Sequence, residues 1–233
     1  MSDIPNPGER LKRLPTLHDY PASANCFKVR MLLSQLGLAY DRVLVDIFTG
    51  DSQTAGYLAL NPAGRTPLLE TEDGAAIPES GAILLYLSDG TELLPEDRIE
   101  RAHVHAWMFF EQNLLEPNVG TARFWRLTGR DAERPEAFAR HLEAGAAALA
   151  VLERGLDGKK FLVGGRYTVA DCALYAYTRV AHEAGYDMGS FPAVGAWLEW
   201  VAATPGAIDD LVPYPASATA GAGGRSAHDA PSG

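Results

Sequence analysis

Three short stretches carry residue types from which chemistry could be built. The first, Ser23-Ala24-Asn25-Cys26, stands where a short strand gives way to a helix. A helix start offers unpaired N–H groups and the positive end of the backbone dipole, so it favours an anion, a thiolate included. A hydroxyl and an amide at that point can donate hydrogen bonds to a bound sulfur. Equally, Ser23 or Asn25 can serve only as the helix N-cap, as such residues commonly do. The second stretch, Gly64-Arg65-Thr66-Pro67-Leu68-Leu69, sets a proline at the start of an apolar strand, a position compatible with a cis peptide bond. It reads either as a plain strand entry or as a device that aims the Thr66 backbone at an extended peptide. The third, Pro78-Glu79-Ser80-Gly81, opens another helix with an acid and a hydroxyl. These can cap that helix, or they can hold the ammonium and carboxylate of an amino-acid head.

The elements that must position these stretches follow from periodicity and breakers. Pro15–Tyr20 reads as a short strand. Cys26–Leu36 reads as a helix with Val29, Leu32, Leu33 and Leu36 inward, stopped by Gly37. Tyr40–Ile47 has the β-branched content of a buried strand and completes a βαβ unit. Thr66–Glu70 and Ala75–Ile77 flank an Asp73-Gly74 turn and predict a hairpin. A helix over Glu79–Ser88 closes this part. From Asp97 onward every periodic segment predicts helix: 98–121, 134–155, 168–182 and 193–204, separated by Gly and Pro signals. The order predicts a flexible arm over 1–14, a mixed α/β domain over 15–90, an all-helical domain over 91–212 and a disordered, small-residue tail over 213–233.

Composition narrows the function classes. With 233 residues, 47% hydrophobic and 21% charged, the chain has ample material for a core. A net charge of −10 argues against an electrostatic nucleic-acid binder or an anionic-membrane surface protein. No apolar run reaches the roughly 18 residues of a membrane span, and the first residues lack the apolar core of an export signal. Two cysteines, Cys26 and Cys172, give no disulfide framework and fit a reducing, cytoplasmic setting. The histidines show no metal-binding spacing, so no metal site is expected.

Together and in this order, the stretches resemble the cytosolic glutathione transferase superfamily over about residues 15–207. The pattern runs through Ser-Ala-Asn-Cys before Lys28-Val29-Arg30, then Asn61-Pro62-Ala63-Gly64-Arg65-Thr66-Pro67, then Glu79-Ser80-Gly81-Ala82-Ile83-Leu84-Leu85-Tyr86-Leu87. Thr168-Val169-Ala170-Asp171 matches the family's buried capping box, with Phe191-Pro192-Ala193 and Trp197 behind it. The resemblance implies a thioredoxin-like α/β N-terminal domain joined to an all-α helical-bundle C-terminal domain, glutathione as substrate, a hydrophobic electrophile as partner, and a homodimer.

Residue by residue, the resemblance implies that Pro67 is the cis-proline and that the Thr66 backbone pairs with the cysteinyl unit. Glu79 and Ser80 would hold the γ-glutamyl head, and Arg65, with Gln53 as a weaker candidate, would meet the glycyl carboxylate. Ser23 falls where Ser-type members keep the hydroxyl facing the sulfur, and Asn25 resembles the amide of the bacterial nu-like group, so the chain looks Ser-type, nu- or theta-like. Tyr20 lies one position from the tyrosine of Tyr-type members, and one residue in a strand turns a side chain to the opposite face. Cys26 reads as a packed thiol. A glutathione-dependent disulfide reductase and a non-catalytic binding protein of the same fold are the alternative readings. For the electrophile, Phe109, Phe110, Asn113, Glu116, Arg123 and Trp125 are possible contributors that the sequence does not sort into core and pocket.

Overall fold

The computed structural model describes residues 13–219. A four-stranded mixed sheet has the order β2-β1-β3-β4, with β1 Thr16–Asp19, β2 Asp41–Leu44, β3 Leu68–Glu70 and β4 Ala76–Pro78. β1 runs parallel to β2 and antiparallel to β3; β3 and β4 form the hairpin about Gly74. Helices α1 (Ala24–Gln35), α2 (Ala55–Leu60) and α3 (Ser80–Ser88) complete this domain, and helices alone build the second. Both the thioredoxin-like first domain and the helical second domain are as the sequence implied. Among the described residues no helix is long and apolar enough to cross a membrane.

Helix α1 lies between the two domains and is buried from Ala24 to Leu33, Asn25 alone excepted. Val29 and Leu33 pack with Leu17, Leu69 and Ile83 over the sheet, while Phe27, Met31 and Leu32 join the core of the helical domain. A helix buried all round shows little amphipathic contrast. Its two cations, Lys28 and Arg30, are therefore also buried, and each must be paired. Arg30 Nη1 donates to the fully buried Asp19 at 2.7 Å, and Arg42 reaches the other carboxylate oxygen.

Three expectations change. Tyr40–Ile47 is not a buried strand: only Asp41–Leu44 is extended, and all four residues are exposed. The reason is its place at the sheet edge, where Val43 and Leu44 are exposed, while Val45 is buried and Tyr40 and Ile47 pack against the core from outside the strand. The long helix 98–121 is not uniform. α4 (Arg98–Phe110) passes into a π-helical segment, Glu111–Gly120, which continues as α5 (Thr121–Thr128). Pro117 lies inside the wide segment, lacking the N–H that an α-helix would use there. Finally, the start of the expected tail is anchored at two residues: Tyr214 meets Phe48 and Phe124, and Ala218 is buried, while the others of 213–219 are exposed. The remainder of the expected tail, and residues 1–12 of the expected arm, lie outside the described residues.

The helical domain closes with α6 (Pro135–Leu156), α7 (Val169–Thr178) and α8 (Pro192–Ala202). The start of α7 is fixed by Asp171, which is fully buried. One carboxylate oxygen accepts from the Thr168 amide at 2.9 Å and its hydroxyl at 3.0 Å. The other accepts from the Leu162 amide at 3.0 Å and from Trp197 Nε1 at 2.9 Å. A single side chain thus ties a helix start, the preceding loop and α8. Asp171→Ala strands these donors in the core, so a loss of at least about 3 kcal/mol is expected, at roughly 1–3 kcal/mol per unsatisfied buried group. Urea denaturation should show that loss, with Asp171→Asn intermediate because one accepting oxygen survives.

Candidate functional site

The start of α1 opens into a cavity of about 310 Å³ between the domains. From the first domain Asn25, Arg65, Thr66, Pro67, Glu79 and Ser80 line it. These come from three separated stretches, all singled out by their chemistry in the sequence. The Thr66–Pro67 peptide is cis. Gly64, just before, has a φ of +60°, and a Cβ there would stand 2.4 Å from Gln53 Nε2. Gln53 is accordingly a brace rather than a lining residue, donating to the Gly64 carbonyl at 3.1 Å. Tyr57 and Asn61 hold the Arg65 carbonyl, each at 2.7 Å, which fixes the backbone while leaving the Arg65 side chain exposed.

Capping chemistry is realised at one helix and not at the other. Ser23 Oγ accepts from the Cys26 amide at 3.3 Å, so Ser23 is an N-cap, and it is not among the cavity-lining residues. An accepting hydroxyl still keeps its own proton to donate. Glu79 occupies the N-cap position of α3 but makes no capping bond with its side chain. Its φ of +71° is in the left-handed region that non-glycine residues seldom enter. Such local strain is typical of functional positions. Its carboxylate is exposed at the cavity edge, beside the buried Ser80.

Asn25 is held by a polar cluster that joins the domains. Its Oδ1 accepts from Lys28 Nζ at 2.7 Å and from Ser80 Oγ at 3.2 Å, while Nδ2 donates to Glu116 Oε1 at 2.6 Å. These opposite polarities fix which end of the amide is oxygen, and one N–H remains for a ligand. Lys28, 1% exposed, also donates to Glu111 at 2.7 Å and Glu116 at 3.3 Å. Burial alone would pull its pKa down, but the two carboxylates outweigh that and push it up, so it stays an ammonium. At 3.6 residues per turn, two residues five apart would diverge by about 140°. The wider π-helical turn, which bonds i to i+5, brings Glu111 and Glu116 to the same side and lets one lysine serve both.

The opposite wall includes Gln112, Glu116, Thr121, Phe124, Tyr177 and Tyr214. Of the possible contributors named from sequence, only Glu116 lines the cavity. Phe109 and Asn113 are exposed on the outside, and Phe110 packs on Trp107. Trp125 stacks edge-on with His141, and buried Arg123 pairs with Glu183 at 2.5 Å. Tyr214 was missed because its surroundings in the sequence, small residues and prolines, carry no periodic signal.

Neither cysteine nor Tyr20 offers a reactive group. Burial, and then the charge of Asp19, push the Cys26 thiol up to about 12; burial likewise raises Cys172 to about 12. Tyr20 is buried against Phe48, outside the cavity lining, and burial raises its hydroxyl further from ionisation. The site therefore offers a helix start and a held amide, and neither cysteine is among its lining residues.

The family descriptions "Glutathione S-transferase, N-terminal domain" and "Glutathione S-transferase, C-terminal domain" match residues 22–89 and 117–205. The chain belongs to the cytosolic glutathione transferase superfamily. A possible glutathione S-transferase from Rhodopseudomonas palustris is 45% identical, covering 86% of this chain and 100% of that one, with a TM-score of 0.82. A structure of Ure2p in complex with glutathione is 27% identical over 85% of this chain and 98% of that one, at a TM-score of 0.78. The transcriptional regulator URE2 of Saccharomyces cerevisiae is 28% identical over 84% of this chain and 67% of its own length. This superfamily thus includes relatives named for catalysis and relatives named for regulation.

Within it, the hydroxyl one residue off register is testable. Tyr20 Oη is buried with no hydrogen-bond partner among the described residues. Tyr20→Phe removes it, so stability should be unchanged or up to about 1 kcal/mol higher. The pH–rate profile with glutathione should not move. A shift of that profile would identify Tyr20, and not the start of α1, as the sulfur's partner.

Proposed function

We propose that this protein is a glutathione transferase that holds glutathione as its thiolate and brings an electrophilic small molecule to it. What carries the reading is the convergence of Asn25, Arg65, Thr66, cis-Pro67, Glu79 and Ser80 on one cavity at the start of α1. In this reading Glu79 takes the γ-glutamyl ammonium and Ser80, whose hydroxyl proton goes to Asn25 Oδ1, takes its carboxylate through the backbone N–H at the start of α3. The Thr66 backbone pairs with the cysteinyl unit across the cis-proline. Arg65 receives the glycyl carboxylate. Ser23 and Asn25 donate to the sulfur, Ser23 through the proton its capping bond leaves free and Asn25 through its unused N–H.

The chemistry follows from the charge that develops. Donors and the dipole of α1 favour thiolate over thiol, lowering the thiol pKa. The thiol proton leaves to solvent. The sulfur lone pair then forms a bond to an electrophilic carbon, with a leaving group departing or a π bond opening. Proximity in the closed cavity supplies the remaining rate. No covalent enzyme intermediate is needed, in keeping with two cysteines whose thiols are buried and protonated. A homodimer and a cytoplasmic location belong to the same proposal.

A binding-only role is favoured by one observation, the regulator among the relatives; disulfide reduction uses the same thiolate on sulfur rather than carbon. Calorimetric titration with glutathione, beside aryl-halide conjugation and reduction of a small disulfide, separates the three. Binding without either turnover would overturn the transferase reading.

Two substitutions test the residue roles. Ser23→Ala or Asn25→Ala removes one donor to the thiolate, along with the Cys26 capping bond in the first case and the Lys28, Ser80 and Glu116 bonds in the second. The bound thiol pKa should rise by about one unit, and urea denaturation reads the structural loss separately. Turnover near neutral pH should fall about tenfold and recover as pH rises, because the thiolate then forms without help. The variant whose profile stays put is only a cap or only a strut. Glu79→Gln should weaken glutathione binding by about 1.5–3 kcal/mol with little change in thiol pKa, the γ-glutamyl end being remote from sulfur. Unchanged affinity would place the amino-acid head elsewhere.

A further inference from the structure

After α8 the chain does not leave the molecule. It turns at Gly206, whose φ is +74° and whose absent Cβ would stand 2.7 Å from Gln35 Cα at the end of α1, and runs back toward the helix start, where the Val212 amide donates to the Pro21 carbonyl at 3.5 Å. Three arginines hold this strap. Arg30, buried in α1, donates to both oxygens of Asp210 at 2.8 and 3.0 Å. Arg179 pairs with the neighbouring Asp209. Arg130 Nη1 donates to the Ala218 carbonyl at 2.6 Å. Anchors at 210 and 218 lie four residues to either side of Tyr214, and that residue is the one the strap delivers to the cavity.

The ring of Tyr214 has a defined seat. It meets Phe124 edge-on at 5.4 Å and Phe48 at 6.4 Å, with the Arg123 guanidinium 5.4 Å from its centroid. It also packs against the cluster of Tyr20, Ala22 and Cys26, the residues that flank Ser23 in the chain. The tyrosine therefore stands beside the helix start at which a sulfur would be held. A group attached to that sulfur has Tyr214 and Phe124 as its apolar surroundings, and Gln112 and Glu116 as its polar ones.

Resting on the proposed binding of glutathione at α1, we propose that Tyr214 is a specificity-determining residue for the second substrate. Its ring forms the wall against which an apolar alkyl or aryl group on the sulfur packs. The arginine-anchored strap is what holds that wall in place. Burying one ring's worth of contact converts to a several-fold affinity difference that glutathione itself, having nothing beyond the thiol, does not feel.

Calorimetric titration of the full chain with glutathione and with S-hexylglutathione reads this without reference to turnover. The unsubstituted protein should bind S-hexylglutathione more tightly than glutathione. Tyr214→Ala should weaken S-hexylglutathione by about five- to tenfold while leaving glutathione within twofold, and Tyr214→Phe should leave both unchanged. Asp210→Asn, which loosens the strap and keeps the ring, should weaken S-hexylglutathione at least about threefold. Circular dichroism checks folding, and Tyr214→Leu replaces the alanine variant if that one unfolds. Equal effects on the two ligands, or none on S-hexylglutathione, would overturn the proposal. Failure of the unsubstituted protein to bind either ligand would instead overturn the reading of the α1 site, and this proposal with it.

Discussion

The constraint on which the rest of the structure depends is a lysine ammonium with no access to water. Lys28 sits in the middle of α1, where both domains cover the helix, and an unpaired ammonium there would cost far more than the fold could offset. Its partners, Glu111 and Glu116, belong to the other domain. The charge pairing therefore sets how the two domains dock. It also reaches the cavity, because the same ammonium and one of the same carboxylates grip the two ends of the Asn25 amide. Domain docking and the orientation of a ligand-facing donor are thus one arrangement. Removing either carboxylate would be expected to disturb both, which is why neither is a clean probe of chemistry alone.

This arrangement explains the wide helical segment. An α-helical path from Arg98 onward would send Glu111 and Glu116 in different directions. With Pro117 unable to donate an N–H, the backbone loosens into i→i+5 pairing, and the two acids come to one lysine. The apolar cores on either side are ordinary by comparison. α1 contributes Val29 and Leu33 to one and Phe27 and Met31 to the other, so the helix belongs equally to both domains.

Much of the fold was legible because its signals are local. The Asp73-Gly74 turn, the Gly37 stop and the Thr168–Asp171 box each act within a few residues, and each stands where its chemistry requires. The residues of the first-domain wall were legible too, since Asn25, Arg65–Pro67 and Glu79–Ser80 lie in stretches of unusual composition. What stayed hidden depends on partners distant in the chain. β2 has the residues of a buried strand, and only the sheet order reveals that its face is uncovered. The change of helical pitch at Glu111 answers a lysine more than eighty positions away. Tyr214 sits among Pro, Ala and Ser, and nothing near it announces a partner as remote as Arg123. Ser23 is the mixed case: its capping bond was one of two readings, and that bond does form.

The order in which the chain is made gives the strap another significance. Arg30 and Asp210 are 180 positions apart, so their contact spans most of the described chain. Contacts of such separation close late, because the intervening loop entropy has to be overcome first. During synthesis the α1 helix and the cis-proline edge emerge early, whereas Tyr214 follows only after all eight helices. Until it arrives, the floor and one side of the cavity exist without their aromatic wall.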